Sequence, residues 1–71
     1  MSRTHVTSVI NQDKFCINKT EEHELHKNEN IYVLTSNGLV HASVLEIFEE
    51  KSVCKAEKAN IVKVNDIVIA E

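Results

Sequence analysis

Short stretches in which apolar and polar residues alternate run along most of the chain, and they predict β-strands. The clearest is Ile31-Tyr32-Val33-Leu34, which is followed by Thr35-Ser36-Asn37-Gly38 and then by Leu39-Val40. Asn-Gly supplies the two positive φ values that a type I′ turn needs. The pattern therefore predicts a β-hairpin in which residues 31–35 pair antiparallel with the segment that begins at Leu39.

A second hairpin is predicted near the N-terminus. Residues 5–10 are rich in β-branched side chains, and Asn11-Gln12-Asp13 is typical of a turn. Residues 14–18 then alternate, which places Phe15 and Ile17 on one face of a strand.

The segments around these hairpins have different compositions. Residues 19–30 are polar and charged, and we expect a long loop there. Residues 61–70 are largely β-branched apart from Lys63, Asn65 and Asp66, and they predict a last strand.

Residues 39–60 fit two structures. As strands, they form a long arm to Phe48, a turn at Glu49-Glu50-Lys51 and a return arm over residues 52–56. As a helix, their apolar residues fall roughly on one stripe. We favour the strands, so the predicted fold class is all-β: a small antiparallel barrel of five or six strands in a single domain, residues 1–71. The alternative is an α+β fold with a helix near residues 40–58.

The predicted core consists of apolar residues that share the inward face of these strands. They are Val6, Ile10, Phe15, Ile17, Ile31, Val33, Val44, Phe48, Ile61, Val64 and Val68.

Two segments of the chain echo each other. The same order of residue types occurs in Leu25–Ile31 and in Val62–Val68. It is an apolar residue, two variable residues, Asn, an acid, a variable residue and an apolar residue. Asn tolerates the left-handed conformation better than most residues, and the acid can accept backbone N–H bonds. The pattern predicts a tight turn before each of two strands, with Leu25 and Val62 pointing inward.

A strand-entry motif of the form apolar-x-x-Gly-Asp-x-apolar, called a GD box, occurs in many small bacterial β-barrels. The whole chain resembles the C-terminal barrel of flagellar assembly protein T and related envelope barrels. Asn28 and Asn65 stand where that pattern has Gly, and Glu29 replaces the first Asp. The resemblance implies a structural barrel within a larger envelope or flagellum-associated assembly.

Size and charge narrow the functional classes. A chain of 71 residues has little room for a deep substrate pocket, so we expect no enzyme. Its net charge of -3, with eight basic residues scattered among eleven acidic ones, does not favour nucleic acid. No apolar run of about 18 residues is present, so no membrane insertion is expected. No signal core follows Met1, which predicts a cytoplasmic location, or a periplasmic one if the chain is excised from a larger secreted protein.

The residues that could carry chemistry do not form a complete site in the sequence. His23 and His26 could share one side of a helical turn, but a zinc site needs three or four ligands. Cys16 and Cys54 are interpreted as small buried hydrophobic residues, with a single disulfide as the alternative. We therefore assign no catalytic, cofactor-binding or metal-binding residue and no cofactor.

These observations favour a soluble, non-catalytic module for protein interaction or assembly, with a protein as its partner. Neither that partner's identity nor the oligomeric state follows from the sequence. The alternative is a small nucleic-acid-binding barrel of the OB or SH3-like type, although the three aromatic residues are first needed for the core.

Overall fold

The computed structural model describes residues 3–21 and 24–70, and within them the chain forms six strands and no helix. The strands are β1 (Val6–Val9), β2 (Lys14–Asn18), β3 (Asn30–Thr35), β4 (Gly38–Ile47), β5 (Lys51–Ala56) and β6 (Ile67–Ala70). They form one antiparallel sheet in the order β1-β2-β5-β4-β3-β6, curled into a half-barrel. One bridge, between His5 and Ile67, joins the two ends of the sheet. The predicted all-β class is confirmed, with six strands.

The alternative helix near residues 40–58 is wrong. Strands β4 and β5 pair antiparallel there, with Val44 opposite Cys54. Every second residue of β5 is buried, which is the period of a strand and not of a helix. The good helix formers Glu49 and Glu50 lie in the turn between the two strands, where they are exposed.

The hairpin between β3 and β4 is confirmed, but its predicted turn type is wrong. Thr35 pairs with Gly38, so the loop consists of Ser36 and Asn37. Gly38 has a φ of 99°, whereas Asn37 is not among the described residues with positive φ. The Thr35 hydroxyl explains the difference, since it accepts the Asn37 N–H at 3.0 Å and donates to the Gly38 carbonyl at 2.8 Å. A single positive φ at Gly38 does not fit type I′, which needs positive φ at both central residues, and resembles a type I turn followed by a glycine bulge.

The core fills the concave face of the half-barrel, where alternate residues of the strands meet. Its members are Val6, Phe15, Ile17, Ile31, Val33, Val40, Ala42, Val44, Cys54, Ala56 and Val68, with Leu25, Ile61 and Val62 packed against them. Three residues predicted to be buried, Ile10, Phe48 and Val64, are about half exposed. Each of them lies in a turn or loop next to a strand. Outside the strands, no pairing with a neighbouring strand makes side chains alternate between the buried and the exposed face.

The two echoing segments form equivalent turns, as predicted. Asn28 has a φ of 71° and Asn65 a φ of 78°. Glu29 accepts the backbone N–H of His26 at 3.0 Å, and Asp66 accepts that of Lys63 at 2.9 Å. In both segments the acid side chain therefore closes the turn through a bond to the residue three positions earlier.

Each turn is also bonded to one buried valine of a neighbouring strand. Val44 accepts from the Asn28 N–H at 2.7 Å and donates to the Glu29 carbonyl at 3.0 Å. Val6 accepts from the Asn65 N–H at 2.8 Å and donates to the Asp66 carbonyl at 2.9 Å. These matching bonds hold in place the two turns from which β3 and β6 begin. The two strands pair with each other antiparallel.

Substitution of the two turn asparagines should separate backbone strain from other effects. We expect Asn65→Gly to leave stability unchanged or slightly higher, because Gly has no Cβ penalty at positive φ. Asn65→Val should cost about 1–3 kcal/mol, because a β-branched residue is strained there. Urea denaturation measures both, and Asn28 should respond in the same way. Equal stability of the Gly and Val variants would show that the left-handed backbone does not constrain this turn.

Candidate functional site

Five apolar side chains lie on the convex surface of three neighbouring strands. We call this the outer apolar face; it comprises Tyr32, Leu34, Leu39, Ile67 and Ile69. Leu34 is at its centre, directly opposite Leu39 on one side and Ile67 on the other. Tyr32 lies opposite Ile69 and packs its ring 5.5 Å from that of His41. Directly opposite residues on one face are in contact, so the five form a continuous surface.

This face is open to solvent. Leu34 is 49% exposed and Leu39 60%, and Ile69 is exposed to a similar extent. No helix covers them, because the described residues form none. Single exposed leucines are ordinary on a protein surface, but a contiguous exposed patch marks an interaction site.

The polar and ionisable groups around the outer apolar face already have hydrogen-bond or ion-pair partners. His41 approaches Glu57, with 3.6 Å between Nδ1 and Oε2, and its Nε2 lies 2.8 Å from the Asn30 amide oxygen. At the other end, the Asp66 carboxylate is bonded to the Lys63 backbone. The rim therefore presents polar groups that are already hydrogen-bonded, with a weakly acidic character from Glu57 and Asp66.

The convex surface of β2 and β5 has the opposite character. Lys14 and Lys55 are directly opposite each other, and Lys51 is opposite Asn18. Like charges in direct opposition are destabilising, and Asp13 offsets part of this repulsion from 3.9 Å. The apolar and basic surfaces are thus on different parts of the sheet.

A pocket of about 580 Å³ opens at one end of the half-barrel. We call it the mouth pocket. Its wall includes the apolar residues Leu25 and Ile47 and the hydroxyl residues Thr4, Thr20 and Ser52. Glu21 and Glu24 also line it, together with Lys19, whose Nζ donates to the Phe48 carbonyl at 3.0 Å. A pocket of this size was not expected in so short a chain.

A polar cleft of about 440 Å³ lies beside His41. Its ionisable residues are Asp13, His41, Lys55 and Glu57, and they form the two ion pairs given above. In the described part of the chain, no three His, Cys, Asp or Glu side chains are grouped closely enough to hold a metal ion. His26 is exposed, and His23, the other residue of the candidate metal pair, lies outside the described residues.

Both thiols are free and buried. Cys16 is opposite Val53 and Cys54 is opposite Phe15, so the two are one residue out of register and on opposite faces of the sheet. This excludes the alternative of a disulfide between them. Burial raises the pKa of the Cys54 thiol from 9.0 to about 12, and the nearby Cys16 adds to the rise. Cys54 is therefore a neutral thiol at physiological pH and a poor nucleophile.

The raised pKa of Cys54 predicts a loss of stability at alkaline pH. The unfolded chain releases this proton near pH 9, whereas the folded chain keeps it to about pH 12. The neutral Cys54 thiol therefore contributes its full share to the free energy of unfolding below pH 9. This contribution is lost as the pH rises from 9 to about 12. In urea titrations across that range, wild-type stability should fall more steeply than that of Cys54→Ala, by up to about 1.4 kcal/mol per pH unit. Parallel curves would show that Cys54 ionises equally in both states.

No family model, curated protein or solved structure matches this chain. No helix within residues 3–21 and 24–70 is long and apolar enough to cross a membrane. The function must therefore be argued from the surfaces themselves.

Proposed function

We propose that this chain is a non-catalytic protein-interaction module that docks a partner protein on the outer apolar face. The observation that carries the proposal is the contiguous exposure of apolar side chains on three adjacent strands, centred on Leu34. A polar convex surface would serve folding equally well, since the core lies on the concave side. An exposed apolar face of a folded sheet is typical of an interaction site.

The size of the face points to a small interface. Three strands about 4.8 Å apart and three positions of about 3.3 Å along each strand span roughly 14 by 10 Å. A standard interface covers about 800 Å² on each partner, which is about one sixth of this molecule's surface of 4698 Å². The face falls short of that area, so we expect a transient complex.

The charges at the rim define the chemistry of the partner. Asp66 keeps its negative charge although its carboxylate is bonded within its turn, and the Glu57 charge is balanced only by a protonated His41, so the rim is polar and weakly acidic. The matching partner surface is apolar at its centre and polar to weakly basic at its edge. Its binding should weaken only modestly with salt, because the apolar centre supplies most of the contact and the rim offers few charges.

The resemblance to envelope barrels adds a setting for this interaction. The two turns adopt the positive φ values that Gly would adopt in a GD box, which supports the barrel resemblance. We propose on this basis that the partner belongs to an envelope or flagellum-associated assembly.

Nucleic-acid binding is the alternative, and the positions of the aromatic residues argue against it. Phe15 is in the core, Tyr32 is part of the outer apolar face, and Phe48 lies in the turn between β4 and β5. Only Phe48 approaches a lysine on the convex surface of β2 and β5, with its ring centroid 6.0 Å from the Lys51 Nζ, so that surface has one aromatic ring beside it and not a row of them. Single-strand binding needs aromatic platforms within a basic groove. Oligonucleotide binding that weakens steeply with salt would favour this alternative.

Photo-crosslinking in the source cells tests the proposal. A benzoylphenylalanine residue at position 34 should crosslink one defined protein, because this position is central to the face. The matched control places the same residue at position 55, on the basic surface, where no crosslink to that protein is expected. Equal crosslinking from both positions would refute docking on the outer apolar face, and a crosslink to a second copy of the chain would indicate self-association instead.

A further inference from the structure

The mouth pocket lies where the concave face of the sheet is left uncovered. Ile47 and Ser52 are directly opposite each other on β4 and β5 and belong to the concave side. Ile47 is nevertheless more than one-third exposed, because the pocket opens beside it. The outer apolar face is on the other side of the sheet, so the two surfaces are separate.

One buried hydroxyl of this pocket has hydrogen-bonding capacity left. Ser52 is only 1% exposed, and its hydroxyl forms no hydrogen bond with another described residue. Every fully enclosed side-chain nitrogen or oxygen among those residues does have a partner. Ser52 lines the mouth pocket, so this is the space in which its hydroxyl can meet a ligand.

The outer end of the pocket is acidic. Glu21 and Glu24 line the pocket and have no ion-pair partner among the described residues. The Lys19 ammonium donates to the Phe48 carbonyl instead. A cation is thus favoured over an anion at the entrance.

We propose that the mouth pocket binds a small amphipathic amine with three parts. A hydroxyl group at its inner end bonds to Ser52, and an apolar body packs between Leu25 and Ile47. An ammonium group at its outer end lies near Glu21 and Glu24. A pocket of about 580 Å³ is within the usual range for small-molecule sites.

Three probes that share a phenylethyl framework test each part of this proposal on the full chain. Tyramine carries both the hydroxyl and the ammonium, 2-phenylethylamine lacks the hydroxyl, and 3-(4-hydroxyphenyl)propanoate replaces the ammonium with a carboxylate. We expect tyramine to bind several-fold more tightly than either of the others, in titrations followed by two-dimensional amide NMR at low salt. The shifted signals should cluster at Leu25, Ile47 and Ser52.

Two variants connect each preference to its residue. Ser52→Ala should remove the advantage of tyramine over 2-phenylethylamine, and Glu24→Gln should reduce its advantage over the carboxylate probe. Leu34→Thr, on the outer apolar face, should change neither, which separates this site from the docking surface. Equal binding of all three probes, or tyramine shifts outside the pocket, would overturn the proposal. The probe comparison on the wild-type chain decides the matter even if a variant does not fold.

Discussion

Replacing Phe15 with alanine is expected to lower the free energy of unfolding by about 3–5 kcal/mol. Phe15 is 1% exposed and is among the largest fully buried side chains. A domain of this size has a total stability of the same order, so the variant should be largely unfolded at room temperature. Urea denaturation followed by circular dichroism measures the loss.

Phe48→Ala is the matched control, because it removes the same side chain from an exposed position. Phe48 is 51% exposed, and the Lys51 ammonium lies 6.0 Å from its ring centroid. Such an exposed cation–π contact contributes about 0.5–1 kcal/mol, so Phe48→Ala should cost no more than about 1 kcal/mol. Similar losses for the two variants would contradict the assignment of Phe15 to the core and Phe48 to the surface.

Loss of partner affinity is the second large effect that we expect. Together, the half-exposed side chains of Leu34 and Leu39 offer about the apolar area of one complete leucine. Covering that area should stabilise the complex by about 2 kcal/mol. The double variant Leu34→Thr/Leu39→Thr should therefore bind the crosslinked partner about 30-fold more weakly. Isothermal titration calorimetry with the purified partner measures this change.

Stability should change little in that double variant, because both leucines are exposed and threonine is well suited to strands. Phe48→Thr is the control for binding, since it removes an equally exposed apolar side chain away from the outer apolar face. Unchanged affinity of the leucine variant, or an equal loss in the control, would remove the outer apolar face as the docking surface.

The sequence was most informative where a local rule determines the structure. Asn28 and Asn65, each followed by an acid, predicted the two strand-entry turns correctly, because a left-handed backbone needs Asn or Gly. Alternation likewise predicted β2 and β5. The type I′ turn was wrong because the Thr35 hydroxyl bonds to the turn backbone, a competing interaction that the Asn37-Gly38 rule ignores.

The outer apolar face could not be located from the sequence alone. Residues 31–34 and 67–69 are continuously apolar, which is also the pattern of a strand buried on both sides. Only the strand order shows that Leu34, Leu39 and Ile67 are neighbours on one convex surface. Likewise, the mouth pocket joins Thr4, Thr20 and Ser52 from three separate segments, and no local pattern connects them.

The most direct test of the docking proposal is a cross-saturation NMR experiment on the isotope-labelled chain with its unlabelled, crosslinked partner. Saturation of the partner should reduce the signals of Leu34, Leu39 and Ile69 most strongly and leave those of Lys14 and Lys55 unchanged. Reduced signals confined to the surface of Lys14 and Lys55 would contradict the assignment of docking to the outer apolar face.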